Sequence, residues 1–270
     1  MARYTSEKTT LYAPAKRSLG QNFLSDQNII ETIVGILGEI TDRSIVEIGP
    51  GRGALTRPLL ERGANLTVIE LDDALAALLE KEFATEAKFA CRKANVLDVD
   101  IAEISSSETI IIGNLPYYIS TAIIRHLINY REHFKLLVLM LQREVADRIA
   151  AKPGESDRGF LTVLVEQYLT VSREFDVPPG AFTPRPKVWS SIVSLEPRND
   201  TISDGVSFEK LVSAAFAQKR KTILNNLKNY NSDSAEILSK AAIDSKRRAE
   251  TLSRDEWIDL FEAFRKAKEA

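Results

Sequence analysis

Two short runs of this sequence are apolar on both of the faces that a strand would present, and they restrict the possible folds more than any other feature. One run covers residues 109–112 (TIII) and the other covers residues 136–140 (LLVLM). A strand with two apolar faces must be covered on both sides, which is typical of the parallel sheets of α/β proteins. The sequence therefore predicts a mostly parallel sheet with helices on both faces.

The rest of the first two thirds of the chain alternates between strand-like and helix-like patterns. Strands are predicted at residues 44–48, 66–70, 89–92 and 188–195, and helices at residues 54–62, 74–83 and 120–130. A β-α-β-α order of this kind builds a parallel sheet, because each helix returns the chain to the same end of the sheet. We therefore predict an α/β fold.

The last quarter of the chain follows a different pattern. Residues 197–205 (PRNDTISDG) are polar and rich in turn formers, and the segments after them show only helical spacing. One of these segments starts with a capping box, Ser253 to Glu256, and continues with Trp257, Leu260 and Phe261 at helical intervals. We predict an α/β domain over residues 1–196, a linker over residues 197–206, and a small all-helical domain over residues 207–270.

Composition excludes several classes of protein. Hydrophobic residues make up 44% of the 270 residues and charged residues 27%, which excludes a disordered or collagen-like chain. Cys91 is the single cysteine, so no internal disulfide can form. No apolar run approaches the roughly 20 residues that span a bilayer, and the first 20 residues lack the apolar segment of a signal peptide. We expect a cytoplasmic protein without membrane association.

A glycine-rich turn, residues 47–54 (EIGPGRGA), connects the first predicted strand of the sheet to a helix. Glycines let the backbone approach a ligand closely, and the helix start offers free N–H groups. Glu70 ends the next strand, 21 positions after Gly49, where a carboxylate can bind both ribose hydroxyls. This pattern predicts an adenosine-containing cofactor. Both a nicotinamide dinucleotide and S-adenosylmethionine fit it.

A second motif, Asn114-Leu115-Pro116-Tyr117, directly follows the apolar run at residues 109–112. Ligands bind at this edge of a parallel sheet. The Asn114 amide oxygen and the Leu115 carbonyl can accept the two hydrogens of an exocyclic base amine, which directs the nitrogen lone pair toward a methyl donor. Pro116 stiffens the turn, and Tyr117 offers a ring for stacking on the base. The motif favours methylation of a base amine.

These motifs make the chain resemble the ribosomal RNA adenine dimethyltransferase family, and the resemblance covers nearly all 270 residues. It implies a Rossmann-like, S-adenosylmethionine-dependent methyltransferase fold. Six segments occur in the family's order: residues 19–24 (LGQNFL), 47–51 (EIGPG), 114–117 (NLPY), 142–146 (QREVA), 177–188 (VPPGAFTPRPKV) and 216–222 (FAQKRKT).

The resemblance implies roles for residues that would bind S-adenosylmethionine. Asn22 and Leu24 would line its methionine end, Gly49 and Gly51 would form the loop against it, and Glu70 would hold the ribose. The chain also departs from the family at one position. Asn95 stands where the family usually has an aspartate that accepts from the cofactor's adenine amino group. An amide keeps the acceptor oxygen and adds a donor, so we expect Asn95 to bind the cofactor as well.

The resemblance also implies a catalytic group. Asn114 would lie at the junction between the cofactor and the target amine, with the Leu115 carbonyl beside it, and Tyr117 and Phe182 would sandwich the target adenine. No spacing of His or Cys residues is typical of a metal site, so we predict no metal.

The activity implied is dimethylation of adenines, two adjacent ones, in a hairpin loop near the 3′ end of small-subunit (16S) rRNA during subunit biogenesis. Three alternatives remain open: a large-subunit methylase of the Erm resistance type, a nicotinamide oxidoreductase, and a non-enzymatic ribosome-assembly or transcription factor on the same fold. Residues 142–146 and 216–222 favour the small-subunit branch over the Erm type.

A basic cluster interrupts the apolar stripe of the helical segment. Lys219, Arg220 and Lys221 fall where the stripe should continue, in a region with 13 Lys and Arg against 10 Asp and Glu from Ser207 onward. Basic side chains that interrupt a buried face must point outward or lie at a bend between two helices. We predict that these three residues bind rRNA phosphates without reading sequence, and that the protein acts as a monomer on the small ribosomal subunit.

Overall fold

The computed structural model describes residue 16 and residues 20–269, so Leu19 of the first family-like segment lies outside the described residues. The described residues form a seven-stranded sheet and a two-stranded sheet. The strands are β1 (Phe23–Leu24), β2 (Ser44–Ile48), β3 (Asn65–Glu70), β4 (Phe89–Lys93), β5 (Ile110–Asn114), β6 (Leu136–Gln142), β7 (Leu169–Val177), β8 (Phe182–Thr183) and β9 (Ser190–Pro197).

The large sheet has the strand order β4-β3-β2-β5-β6-β9-β7. Its first five strands are parallel, whereas β9 runs antiparallel to both β6 and β7. The mostly parallel sheet predicted from the sequence is confirmed. β7 was not predicted, because only its first and last residues are buried and its sequence, LTVSREFDV, lacks a continuous apolar run.

Ten helices accompany the sheets in the described part of the chain: α1 (Gln27–Ile36), α2 (Thr56–Glu61), α3 (Asp73–Glu82), α4 (Ser120–Ile128), α5 (Arg143–Ile149), α6 (Phe160–Tyr168), α7 (Gly205–Ala215), α8 (Ile223–Leu227), α9 (Ser234–Lys240) and α10 (Arg254–Glu269). Asp26 caps α1 by accepting from the backbone N–H groups of Asn28 and Ile29. None of these helices is both long and apolar enough to cross a bilayer.

The two faces of the large sheet carry separate cores, because successive strand side chains point to opposite sides. Ile110 and Ile112 of β5 pack in one core with the buried faces of α1, α2 and α3. Ile111, between them, packs in the other core with α4, α5 and α6. The sheet is therefore covered on both faces, which explains why β5 is apolar at successive positions.

A third core belongs to the helical part. Trp257 is fully buried there and stacks on Phe216, with ring centroids 5.8 Å apart. Helix α6 contributes to two cores, since Val163 joins the helical core and Leu164 joins the sheet core. β9 ends at Pro197 and α7 begins at Gly205, so the connection overlaps the predicted linker. The division into domains stays a prediction.

The small two-stranded sheet ties the N-terminal segment to a later part of the chain. β1 and β8 are antiparallel, with Leu24 opposite Phe182 and Phe23 opposite Thr183. Ser25 extends the pairing by donating its backbone N–H to the Ala181 carbonyl at 2.8 Å. These contacts hold residues 22–24 at the carboxyl edge of the parallel strands.

Candidate active site

A cavity opens at the carboxyl edge of the parallel strands, between the ends of β2, β3, β4 and β5 and the N-terminal segment. Ligands of open α/β sheets bind at this edge. The cavity brings together nine of the residues that the sequence placed in the site: Asn22, Leu24, Gly49, Gly51, Glu70, Asn95, Asn114, Leu115 and Tyr117. The fold therefore assembles in one place motifs that are far apart in the chain.

The glycine turn after β2 has a backbone that side chains would strain. Gly49 has φ 67° and Gly51 has φ 59°, both in the left-handed region that favours glycine. A Cβ on Gly51 would lie 3.0 Å from the Phe23 ring, so the ring would have to move to make room for it. The turn thus packs directly against β1 and keeps its backbone at the cavity surface.

Glu70 connects this turn to the end of β3. One carboxyl oxygen accepts from the Gly51 N–H at 3.1 Å and the other accepts from the Asp72 N–H at 2.8 Å. Burial raises the pKa of Glu70, and these two hydrogen bonds oppose the rise. A carboxylate oxygen has more than one lone pair, so the held carboxylate keeps acceptor capacity for ribose hydroxyls. The residues present therefore fit an adenosine-containing cofactor.

Glu47, at the end of β2, is a second buried acid beside the cavity. Burial raises its pKa to about 8, although a 2.7 Å hydrogen bond from the Thr56 hydroxyl opposes the rise. The carboxyl group is therefore mainly protonated at neutral pH, which reduces the negative charge beside Glu70. Sequence reasoning placed Glu47 in the glycine motif but assigned it no role.

Asp72 anchors the N-terminal segment beside the same wall of the cavity. It caps α3 by accepting from the Ala74 N–H, and it also accepts from Lys16 Nζ at 2.8 Å and Gln21 Nε2 at 3.1 Å. Burial works against ionisation of Asp72, but these hydrogen bonds hold its pKa below the usual range. Sequence reasoning missed this cluster, because its members are about 50 residues apart and share no motif.

Asn95 lies just after β4 and lines the cavity. Its amide oxygen accepts from the Leu97 N–H at 3.2 Å, and its amide nitrogen donates to the Asp98 carboxylate at 3.1 Å. The amide oxygen keeps one lone pair for a ligand donor. Asn95 therefore lies in the cavity lining. Its amide N–H, which an aspartate at this position would lack, is bound by the Asp98 carboxylate.

Asn114 and Leu115 form the turn at the end of β5. The Asn114 amide nitrogen donates to the Asn22 backbone carbonyl at 3.1 Å, and the Leu115 N–H donates to the Met140 carbonyl at 3.2 Å. Within residues 20–269 no donor is bonded to the Asn114 amide oxygen. The Asn22 carbonyl thus orients the amide and leaves its oxygen available as an acceptor. The backbone carbonyl of Asn114 lies close to Gly49.

Tyr117 is held at the cavity by a residue that sequence reasoning missed. Its hydroxyl lies 2.6 Å from the hydroxyl of Ser190, which is fully buried at the start of β9. Burial raises the pKa of Tyr117, so the phenol stays protonated in the neutral range. Ser190 comes two positions after the family-like segment at residues 177–188. That spacing was the only available signal for it.

Phe182 is buried beside the cavity-lining residue Leu24, and its role at the target base stays a prediction. Its side chain is only 3% exposed and packs in the sheet core, and it does not line the cavity. The pairing of β8 with β1 places Phe182 opposite Leu24, and both side chains belong to the core that includes α1. Leu24 also lines the cavity, so the pairing holds Phe182 next to a residue of the site.

The basic cluster Lys219, Arg220 and Lys221 lies in the turn between α7 and α8, so it occupies a bend between helices as anticipated. All three side chains are exposed and none lines the cavity. Lys219 Nζ donates to the Ser156 backbone carbonyl at 3.0 Å, which joins this turn to the loop before α6. Phosphate binding by the cluster stays a prediction. No group of three or more potential metal ligands occurs among the described residues.

Comparisons with known proteins identify the family of this chain. The family model for ribosomal RNA adenine dimethylase matches residues 13–266. The chain is 41% identical over 251 residues to a Hahella chejuensis protein named ribosomal RNA small subunit methyltransferase A, covering 91% of each chain. It is 39% identical over 261 residues to a Geobacter metallireducens protein of the same name, covering 92% of this chain and 95% of the relative.

Two solved structures share the fold. A dimethyladenosine transferase from Plasmodium falciparum superposes with a TM-score of 0.82 at 24% identity, covering 91% of this chain and 98% of the other. The 23S rRNA methyltransferase ErmE superposes with a TM-score of 0.69 at 24% identity, covering 90% and 99%. The match of the family model over nearly the whole chain, together with relatives at about 40% identity, shows that this chain belongs to the ribosomal RNA adenine dimethylase family.

Proposed function

We propose that this chain transfers methyl groups from S-adenosylmethionine to the exocyclic amino group of adenines in small-subunit rRNA, and that the product is N6,N6-dimethyladenosine. Family membership and relatives named ribosomal RNA small subunit methyltransferase A support the substrate class. The observation that carries the proposal is the Asn114 amide, whose nitrogen is held by the Asn22 carbonyl and whose oxygen remains an open acceptor.

The chemical difficulty is that an adenine amino nitrogen is a poor nucleophile, because its lone pair is delocalised into the ring. The Asn114 amide oxygen and the Leu115 carbonyl would accept the two N–H hydrogens and turn the nitrogen toward tetrahedral geometry. S-adenosylmethionine, when bound, supplies an electrophilic methyl group on a sulfonium. The work of Asn114 and Leu115 is therefore to orient the amine.

Cofactor binding is assigned to the residues on the strand ends. Glu70 would hold the ribose hydroxyls, and the Gly49–Gly51 turn and Asn22 would lie against the methionine end. The Asn95 amide oxygen would accept from the adenine amino group, using the lone pair that the Leu97 N–H leaves free. The neutral carboxyl of Glu47 limits repulsion within this acidic pocket.

The target base would enter beside Tyr117, whose ring is positioned by Ser190. Stacking of a base on an aromatic ring contributes about 1–3 kcal/mol. Adenines of a hairpin loop are already unpaired, which reduces the cost of turning one into the cavity. The basic cluster at Lys219, Arg220 and Lys221 would bind phosphates of the subunit at a distance from the cavity and set its orientation.

The decisive experiment is transfer of radiolabelled methyl groups to purified small subunits that lack the modification, with large subunits as the control. Nucleoside digestion and mass spectrometry should then identify dimethyladenosine in the small-subunit rRNA. Labelling of large subunits instead would indicate the Erm-type activity. Absence of label from both, with the cofactor bound in calorimetry, would indicate a non-enzymatic assembly factor.

A further inference from the structure

The rim of the cavity carries exposed apolar side chains that no part of the described chain covers. Five large apolar side chains are exposed among the described residues: Leu71, Tyr118, Val188, Trp189 and Val206. Leu71 and Tyr118 line the cavity, and Val188 and Trp189 lie directly before Ser190, the hydrogen-bond partner of Tyr117. Val206 lies apart from them on α7. Exposed apolar side chains that lie in or next to a cavity are typical of a binding surface.

Trp189 stands out within this rim. Its side chain is 46% exposed, whereas the other tryptophan, Trp257, is fully buried. Its backbone is fixed on both sides, because its carbonyl accepts from the Arg143 N–H at 3.0 Å and the next residue, Ser190, starts β9. The ring is therefore attached to a rigid strand end, one residue away from the group that positions Tyr117.

The chain around Trp189 also carries positive charge. Arg185 and Lys187 are exposed, and within residues 20–269 neither forms an ion pair or a side-chain hydrogen bond. The half-exposed Arg143 guanidinium faces two carboxylates at longer range, Asp147 at 3.7 Å and Asp176 at 4.0 Å. Residues 185–189 thus combine unpaired cations with a flat apolar ring.

We infer that Trp189 stacks on a nucleotide adjacent to the target adenine, while Arg185 and Lys187 bind the neighbouring phosphates. This inference rests on the proposed function, since it concerns the RNA that brings the target base to the cavity. When one base turns into the cavity, its neighbours lose a stacking partner, and an aromatic ring beside the opening replaces it. Rings combined with cations are the chemistry that recognises single-stranded RNA.

Tryptophan fluorescence tests the contact without requiring methyl transfer. The chain has two tryptophans, and only Trp189 is accessible to a ligand. Titration with a short RNA hairpin that carries adenines in its loop should quench the emission. A fully paired duplex of equal length should quench it far less. The Trp189→Phe variant should lose the quenching, because only the buried Trp257 then emits.

Binding and kinetics test the energetic contribution. Trp189→Ala should weaken binding of the hairpin by about 5- to 150-fold, the range that corresponds to one stacked base. Trp189→Phe should recover much of the affinity, because phenylalanine keeps a flat ring. KM for the RNA should rise in Trp189→Ala while kcat at saturating RNA changes little. Val206→Ala, which removes an exposed apolar side chain from α7, is the matched control and should change neither the hairpin affinity nor KM.

The outcomes separate this inference from the proposed function. Methyl transfer with unchanged hairpin affinity, KM and fluorescence in the Trp189 variants would overturn the inference and leave the function intact. Quenching and weakened binding without methyl transfer to small subunits would support the contact and count against the function. Equal quenching by the hairpin and by the fully paired duplex would mean that Trp189 does not stack on an unpaired base, which also overturns the inference.

Discussion

The two sides of the cavity differ in burial and in how far their polar groups are hydrogen-bonded within the chain. The cofactor wall, formed by Glu47, Gly51 and Glu70 with Asp72 beside it, buries three carboxyl groups, and every one of them accepts hydrogen bonds from the chain itself. The rim with Tyr118, Val188 and Trp189 is exposed, and next to it Arg185 and Lys187 are cations without partners in the described residues.

The difference between the two sides fits the two ligands that we propose for them. Buried polar groups are costly unless they are hydrogen-bonded, so a wall that is satisfied in advance can bind a small cofactor with little rearrangement. Exposed rings and unpaired cations cost less in water but gain energy when a polyanion with flat bases covers them. On the proposed function, the cofactor side is organised before binding, whereas the rim gains its contacts only when RNA binds.

The largest effect on the free energy of unfolding is expected for Glu47→Gln, which tests whether water is excluded from the Glu47 carboxyl group. The pKa of Glu47 is about 8 in the fold and about 4.5 in the unfolded chain. Between these values the unfolded state releases a proton that the folded state keeps, so the wild type loses stability as pH rises from about 4.5 to about 8. The loss has an upper limit of about 5 kcal/mol.

Glutamine cannot ionise, so the variant should match the wild type near pH 4 and exceed its free energy of unfolding at pH 8. Chemical denaturation of both proteins across this range provides the measurement, and Glu70, which is common to both, cancels in the difference. Identical pH profiles would mean that Glu47 is ionised in the fold and that the wall is wetter than its burial indicates.

Asn114→Ala tests the boundary between the two sides. Loss of the amide oxygen should reduce kcat for methyl transfer by about 10²-fold, as removal of a positioned polar group does in other sites. RNA affinity should barely change, because the rim and the basic cluster are untouched. Single-turnover methyl transfer and filter binding measure the two quantities. A variant with near wild-type rate would exclude Asn114 as the acceptor.

Replacement of Lys219, Arg220 and Lys221 by Gln tests whether RNA is also bound outside the rim, at the turn between α7 and α8. Since Lys219 already donates to the Ser156 carbonyl, the other two cations are the freer ones. The slope of log affinity against log salt should fall by about two units, at about 0.9 per phosphate. A triple Gln variant at exposed lysines of the same helical region, Lys240, Lys246 and Lys266, controls for net charge. Equal effects of the two triples would mean that the cluster makes no specific phosphate contact.

The smallest effect is expected for Asn95→Asp. The change keeps an acceptor for the cofactor's adenine but places a second carboxylate beside Asp98, which now accepts from the Asn95 amide at 3.1 Å. Cofactor affinity in calorimetry should change by less than about tenfold, or 1.4 kcal/mol. Addition of Asp98→Asn should remove any loss caused by repulsion. A gain much larger than tenfold would show that Asn95 weakens cofactor binding and would favour a non-enzymatic role.

The sequence by itself determined the parallel part of the sheet and most of the cavity. Strands β5 and β6 are apolar at successive positions because both of their faces are covered, and this property is visible without a structure. The glycine turn and Asn114 follow directly from strand ends, so their convergence at one edge could also be predicted. These features are local in sequence and have few alternative conformations.

Only the tertiary structure decided the features that depend on pairing between distant segments. β7 is a half-exposed strand whose position is set by its register with β9, and the residues of the Lys16–Asp72 ion pair are 56 positions apart. The burial of Phe182 follows from the β1–β8 pairing, which no local pattern of the sequence shows. Tyr117 is likewise positioned by Ser190, 73 residues away. Side-chain direction at such positions is fixed by strand register and core packing, and no local pattern encodes either of them.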